Sequence, residues 1–194
     1  MIPAPLTGEK VVLAAWEPDE AGRYLSLRDD EVFRFTTESP DLDEKMARHN
    51  ISQAQVDPHL APFAIRDRSG EAVGNLAVSR LGSRAVLSYW LATEARGKGL
   101  AVDALRLASD WAMENWDVEY LELEIDQANR ASIAVAEGAG YRRHGLRLES
   151  ACGGPALLYR RITQALGAPT ARTQVQGPTN MTGSHDLARH RRHP

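Results

Sequence analysis

Cysteine is almost missing from this chain. Cys152 is the only one, which excludes an internal disulfide framework and fits a reducing compartment. No His–Asn/Asp constellation is recognisable with it, so the thiol reads as a loop or strand-end group rather than a nucleophile. No apolar run approaches the length that spans a bilayer. Met1-Ile2-Pro3-Ala4-Pro5 has neither the basic nor the hydrophobic region of a signal peptide. A cytoplasmic protein with no membrane partner is expected. Metal ligands are equally thin: His185, His190 and His193 sit in the C-terminal stretch with no Cys or acid at ligand spacing, so no metal is expected.

Strong charge of one sign is absent overall, with a net of −3, but the distribution is uneven. From Gly167 onward four arginines (Arg172, Arg189, Arg191, Arg192) face one acid (Asp186), a net of +3, which leaves −6 on residues 1–166. An acidic body is a poor nucleic-acid surface and suits a cationic substrate such as an amine. The stretch 167–194 has almost no bulky apolar residues and cannot bury enough surface to offset ordering entropy, so a disordered basic tail is expected there. The remainder, with 43% hydrophobic and 25% charged residues over the whole chain, suits one domain over 1–166 with a full core.

What is present centres on Ser88–Leu105. Leu87, Tyr89 and Leu91 alternate with Ser88 and Trp90 as in a strand. From Ala101 the apolar residues Ala101, Ala104, Leu105, Ala108, Trp111 and Ala112 fall at helical spacing, with Asp103, Arg106, Asp110 and Glu114 on the opposite stripe. Between strand and helix lies Arg96-Gly97-Lys98-Gly99. A glycine turn that opens a helix leaves backbone N–H groups unpaired at the positive end of the helix dipole, a ready anion site. It is not a P-loop, because no Ser or Thr follows Lys98 and the glycine spacing differs. It is not a dinucleotide fingerprint, because Val102 stands where a small residue is needed.

Elsewhere, Lys10–Trp16 reads as a strand, and Pro18 with Asp19 and Glu20 opens a helix that runs to about Arg28. Asp29–Pro40 reads as a loop, and Asp41 caps a helix over Leu42 to about Gln55. Strands are expected at Pro62–Asp67, Ala72–Leu81, Arg84–Leu91, Tyr120–Ile125, Tyr141–Glu149 and Pro155–Thr163. The main helix ends near Asn115, and a shorter one over Ala131–Ala139 stops at Gly140.

Arg96-Gly97-Lys98-Gly99-Leu100-Ala101 matches the [Q/R]-x-x-G-x-[G/A] signature of the GNAT superfamily of acetyl-CoA-dependent N-acetyltransferases. Asn129-Arg130-Ala131-Ser132 followed by Glu137-Gly138-Ala139-Gly140-Tyr141 resembles that family's N-x-x-S…E-x-x-G-[F/Y] segment. Tyr89-Trp90-Leu91 is similar to the branch that holds the Rim-type ribosomal-protein N-terminal acetyltransferases. The resemblance runs from about Leu6 to Ile162. It implies an α/β (α+β) fold: a mixed, mostly antiparallel sheet of six to seven strands, with a splayed parallel pair at its centre and helices on both faces. The two N-terminal helices would then wall the acceptor pocket, and a monomer or homodimer is implied.

The chemistry implied is acetyl transfer from acetyl-CoA to a primary amine, on a protein N-terminus or a small molecule. Backbone N–H groups of Gly97, Lys98, Gly99, Leu100 and Ala101 would wrap the coenzyme A pyrophosphate, with charge added by Arg96 and Lys98. By resemblance, the main chain of Leu91 and Thr93 pairs with the pantetheine arm, a backbone N–H near Leu91 serves as oxyanion donor, and Asn129 and Ser132 contact the coenzyme. Many relatives carry a tyrosine acid where this chain has Ala136; Ser132 is the replacement acid the resemblance offers, and Tyr141 holds a structural aromatic position. Glu122 and Glu124, on the strand beside the proposed cleft, are candidate bases, with Glu38 in the substrate-side loop as a third. A polyamine, aminoglycoside or amino acid acceptor, or a coenzyme-binding module without turnover, are the alternatives.

Overall fold

Period-two patterning in the strand segments produces one eight-stranded sheet, in the spatial order β1-β2-β3-β4-β5-β6-β8-β7. The computed structural model describes residues 3–150 and 153–162; Cys152, the tail from residue 167 and its histidines lie outside them. The strands are β1 (Leu6–Thr7), β2 (Val12–Ala14), β3 (Leu60–Arg66), β4 (Ala72–Leu81), β5 (Arg84–Leu91), β6 (Tyr120–Asp126), β7 (Arg142–Arg147) and β8 (Ala156–Ile162). Every neighbouring pair is antiparallel except β5 and β6. The eighth strand, beyond the six to seven expected, is the short β1, which pairs with β2 through Leu6 and Thr7. The expected Lys10–Trp16 strand shrinks to Val12–Ala14. Among the described residues no helix is long and apolar enough to cross a membrane.

Helices cover both faces, and each lies where its apolar stripe finds a partner. On one face α4 (Leu100–Asn115) buries Ala101, Ala104, Leu105, Ala108 and Ala112 against Leu76, Val78, Leu87, Leu121 and Leu123 of the sheet. The run of alanines lets the helix axis approach the strands closely. Beside it α5 (Arg130–Gly138) is capped by Asn129, whose Oδ1 accepts the Ser132 amide at 2.9 Å. Gly140 then takes φ 89°, a left-handed turn that ends the helix.

On the opposite face α1 (Ala21–Ser26), α2 (Asp30–Phe35) and α3 (Glu44–Val56) pack a second cluster of Trp16, Val32, Ala47, Ile51, Ala64 and Trp90. The N-cap of α3 is Asp43 rather than Asp41, with its side chain accepting from the Met46 amide at 2.7 Å. The helix turns Ala47 and Ile51 inward and leaves Met46 54% exposed. The segment expected as a loop contains α2. Its cap is Asp29, which accepts from the Val32 amide at 3.0 Å, with Asp30 and Glu31 in the first turn. A helix this short shows no 3.6-residue period and is marginal alone; burial of Val32 and ion pairs with Arg96 hold it.

Candidate active site

The parallel ladder between β5 and β6 stops early. It pairs Arg84, Ala85 and Val86 with Tyr120, Leu121 and Glu122, and no further. Beyond Val86 the two strands part, and a cavity of about 690 Å³ opens between them, lined by Leu87–Leu91 on one side and Leu123–Asp126 on the other. β5 stays bonded to β4 throughout, and the Ala92 amide donates to Val73 O at 2.9 Å. Antiparallel ladders alternate, so the N–H of Leu91 points the other way, into the gap.

At one end this cavity reaches the start of α4. Gly97 and Gly99 take φ 74° and 77°, a conformation that costs any side-chain-bearing residue about 1–2 kcal/mol. Space around Gly97 is open, whereas a Cβ on Gly99 would stand 2.8 Å from Lys10 Nζ. No side-chain oxygen caps the helix. Asp103 in its first turn instead grips the N-terminal hairpin, accepting the Lys10 and Val11 amides at 2.6 and 3.0 Å. Gly97, Gly99, Leu100 and Ala101 line the cavity; the exposed Lys98 and Thr93 do not.

Arg96, expected to face phosphate, is engaged inside the protein. Its Nε donates to Leu91 O at 3.0 Å, Nη1 to Glu31 Oε2 at 2.7 Å, and Nη2 lies 2.9 Å from the Asp29 carboxylate. Asp29 also accepts the Thr93 hydroxyl. Arg96 therefore straps α2 to the end of β5 with all three of its nitrogens engaged, while still lining the cavity. The carbonyls of Leu91 and Thr93 are taken too, by Arg96 Nε and by the Arg96 amide, which leaves the Leu91 N–H as the main-chain group of that pair aimed into the gap. Partial burial alone would raise the Asp29 pKa, but hydrogen bonds from Arg96, Thr93 and the Val32 amide hold it at about 2, below its ordinary 3.8. A depressed folded-state value stabilises above the unfolded value and loses that stabilisation as pH falls. In acid titration the stability advantage of the wild type over Asp29→Asn should therefore be full above about pH 5 and fall away as pH drops through 2; an advantage constant down to pH 2 would contradict the strap.

Across the gap, Asn129 and Ser132 line the same cavity. Ser132 Oγ lies 2.7 Å from the Tyr89 hydroxyl, which also reaches Ser132 O at 3.3 Å. Burial pushes the Tyr89 pKa up to about 12, only partly offset by the bond to Ser132, so the phenol stays protonated near neutral pH. Ala136 is fully buried. The Tyr141 hydroxyl sits against Ser109 Oγ at 2.8 Å, in the core, where burial raises its pKa.

The candidate bases separate sharply. Glu124 lines the cavity; its Oε1 pairs with Arg147 Nε at 3.2 Å, and its Oε2 is buried without a hydrogen-bond partner among the described residues. Glu122 is 0% exposed and does not line the cavity: Arg160, Arg147 and Arg84 surround its carboxylate at 2.7, 3.1 and 3.5 Å. The expectation of Glu122 as a base is corrected accordingly, because a carboxylate saturated by guanidinium groups accepts no substrate proton. Glu38 lines the cavity but is filled: Trp90 Nε1 donates to it at 3.2 Å, Arg28 at 3.1 Å, and the Tyr24 hydroxyl donates as well. Burial, reinforced by the Glu38 charge, raises the pKa of Tyr24. Sequence reasoning missed the parts played by Tyr89, Asp29 and Arg28. Asp29 carried a signal, a capping residue ahead of two acids; the other two carried none at short range.

Residues 10–142 match the family described as acetyltransferase (GNAT) domain. Among solved structures, RimJ from Mycobacterium smegmatis in complex with CoA-disulfide is 21% identical, with a TM-score of 0.72 over 85% of this chain and 88% of that one. A ribosomal-protein-S5-alanine acetyltransferase from Vibrio fischeri is 14% identical, with a TM-score of 0.73 over 86% and 100%. RimL, described as a ribosomal L7/L12 alpha-N-protein acetyltransferase in complex with coenzyme A, is 15% identical, with a TM-score of 0.74 over 84% and 99%. At these identities the likeness is one of fold. No curated protein matches the chain by sequence.

Proposed function

We propose that this chain, which belongs to the GNAT acetyltransferase family, transfers the acetyl group of acetyl-CoA to a primary amine within one ternary complex. The observation that carries the reading is the parted β5–β6 pair, which joins an uncapped helix N-terminus to an acid-lined chamber through one continuous cavity. Amides at the start of α4 and the helix dipole suit a pyrophosphate. Lys98 contributes modestly at most, being exposed. Leu91 N–H, aimed into the gap, donates to the thioester oxygen as negative charge develops there. Asn129 and Ser132 close the far side of the slot.

Glu124, which lines the cavity, takes a proton from the incoming ammonium, directly or through one water. The amine nitrogen then bonds to the acetyl carbon and the carbon–sulfur bond breaks. Of the two protons the nitrogen loses, one ends on sulfur and one leaves by way of Glu124. Ser132 is the group in the cavity that can hand a proton to the departing thiolate; its Oγ lies 2.7 Å from the Tyr89 hydroxyl, and either oxygen of that pair can be the donor. A thiol of ordinary acidity is already a fair leaving group, which accommodates Ala136 where relatives carry tyrosine.

Release of free thiol from acetyl-CoA across a panel of N-terminal peptides, polyamines and aminoglycosides tests the reaction, and calorimetry with coenzyme A tests the binding. Tight coenzyme binding with no turnover on any amine would overturn the transfer reading in favour of a coenzyme-binding module. Gly99→Val should weaken coenzyme A binding at least about tenfold, since a left-handed β-branched residue costs about 1–2 kcal/mol and its side chain, meeting Lys10 Nζ, forces the turn to shift. Unaltered calorimetric affinity in a folded variant would remove the α4 N-terminus from the binding site.

A further inference from the structure

Asn75 is out of place by composition. It lies on the central strand β4, directly opposite Trp90, on the face where the described cluster is built from Trp16, Ala64, Ala72 and Trp90. A carboxamide among such neighbours is costly unless its groups are partnered. One side of it is. Trp16 Nε1 donates to Asn75 Oδ1 at 3.0 Å. An indole N–H can only donate, so this bond decides which prong is oxygen and directs the NH2 away from Trp16. Trp16 is itself fixed, with its carbonyl accepting from Gln55 Nε2 at 2.6 Å and its ring edge-on to Tyr24.

The NH2 has no acceptor among the described residues, and it is not among the sealed unpartnered atoms, which are Arg28 Nε and Glu124 Oε2. Asn75 lines the cavity, so its donors face that space. Glu124 shares this face of the sheet. Val86 and Trp90 lie on it by alternation, Glu122 pairs with Val86, and Glu124 follows two residues later. Asn75 and Glu124 are thus two strands apart, about 10 Å at ordinary sheet spacing and more where the strands part. Once both side chains extend inward, that separation holds a small molecule with an ammonium at one end and a hydrogen-bond acceptor beside it.

We propose that Asn75 is a specificity-determining residue of the acceptor site, donating from its locked carboxamide to a carbonyl oxygen that the substrate carries next to its amine. The proposal rests on the acetyl-transfer reading above, with Glu124 at the amine end. An acceptor without that oxygen leaves the donors of Asn75 unpaired in a desolvated chamber, and such a site discriminates by the cost of the missing bond as well as by the bond itself.

The test pairs two acceptors of one shape. Alaninamide carries the carbonyl; 3-methylbutan-2-amine replaces the carboxamide by an isopropyl group. The ratio of their kcat/KM values is measured for the wild type and for Asn75→Asp, which keeps an oxygen for Trp16 and replaces the NH2 donors by an acceptor. Intrinsic amine reactivity is common to both proteins and cancels. Asn75→Asp should compress the alaninamide preference about tenfold. A ratio that moves less than twofold overturns the proposal. The wild type alone gives a second reading, should the variant fail to fold: N-acetylalaninamide should inhibit as product several-fold more tightly than N-acetyl-3-methylbutan-2-amine, and equal inhibition counts against Asn75. Coenzyme binding with neither amine acetylated also overturns it, whereas no coenzyme binding at all would fell the acetyl-transfer reading first.

Discussion

Glu122→Gln should lower the melting temperature by roughly 6–12 °C, corresponding to about 3 kcal/mol at 2–4 °C per kcal/mol for a domain of this size. The carboxylate is wholly buried and serves Arg160, Arg147 and Arg84 at once. Removing its charge takes the buried carboxylate from Arg160 and Arg84 and leaves Arg147 with Glu124 alone. Their side chains are 23%, 33% and 29% exposed, so water relieves part of the cost, which places the expectation at the lower end of the range for broken buried pairs. Arg160 is further tied over the Tyr120 ring at 4.2 Å and beside His144 Nε2 at 2.7 Å, so it cannot swing away freely. Differential scanning calorimetry checks this directly. A shift of under 1 °C would show that the arginines do not depend on Glu122.

Glu124→Gln, on the neighbouring inward-facing position, should behave oppositely. If Glu124 is the base proposed above, kcat should fall by about 10²–10⁴-fold, the usual contribution of a positioned base. Coenzyme A affinity should be retained, since nothing at the start of α4 depends on it. The deficit should narrow as pH rises past the amine's own pKa, about 8 for an α-amino group, because the acceptor then arrives deprotonated. Steady-state rates from pH 6 to 10 on one amine read this out. A variant as active as the wild type at pH 7 would reassign the base to water or to another carboxylate. Together the two substitutions separate a glutamate that holds the sheet from one that faces the reaction, although alternation along β6 makes them look alike.

The strap formed by Arg96 links the two halves of the site. It joins the acceptor-side helix α2 to the last residue of the donor-side strand through Asp29, Glu31 and Leu91 O. The conspicuous cation ahead of the glycines thus shapes the wall of the cavity, and in the proposed reaction the phosphate cradle falls to backbone amides. A main-chain cradle is indifferent to side-chain identity except where φ must be positive, which is why Gly97 and Gly99 are the informative letters of that motif.

Read from the residues, β4, β5 and α4 come out with their observed ends, Ala72–Leu81, Arg84–Leu91 and near Asn115. Each repeats its period long enough to be unambiguous, and each is bounded by turn glycines or a cap. The family was legible for a related reason: the glycine turn, the strand before it and the Asn129–Ser132 segment are local patterns. Asp30–Phe35 was not legible as a helix, because its stability comes from Val32 and Arg96 rather than from its own repeat. Neither were the separate roles of Glu122 and Glu124. Which carboxylate meets three arginines and which meets the cavity depends on Arg84, Arg147 and Arg160, brought from three different strands. Local order along the chain determines the elements and the glycine turn; only the folded sheet, by parting β5 from β6 and closing ion pairs across distant strands, decides which side chains face the cavity and which are tied up.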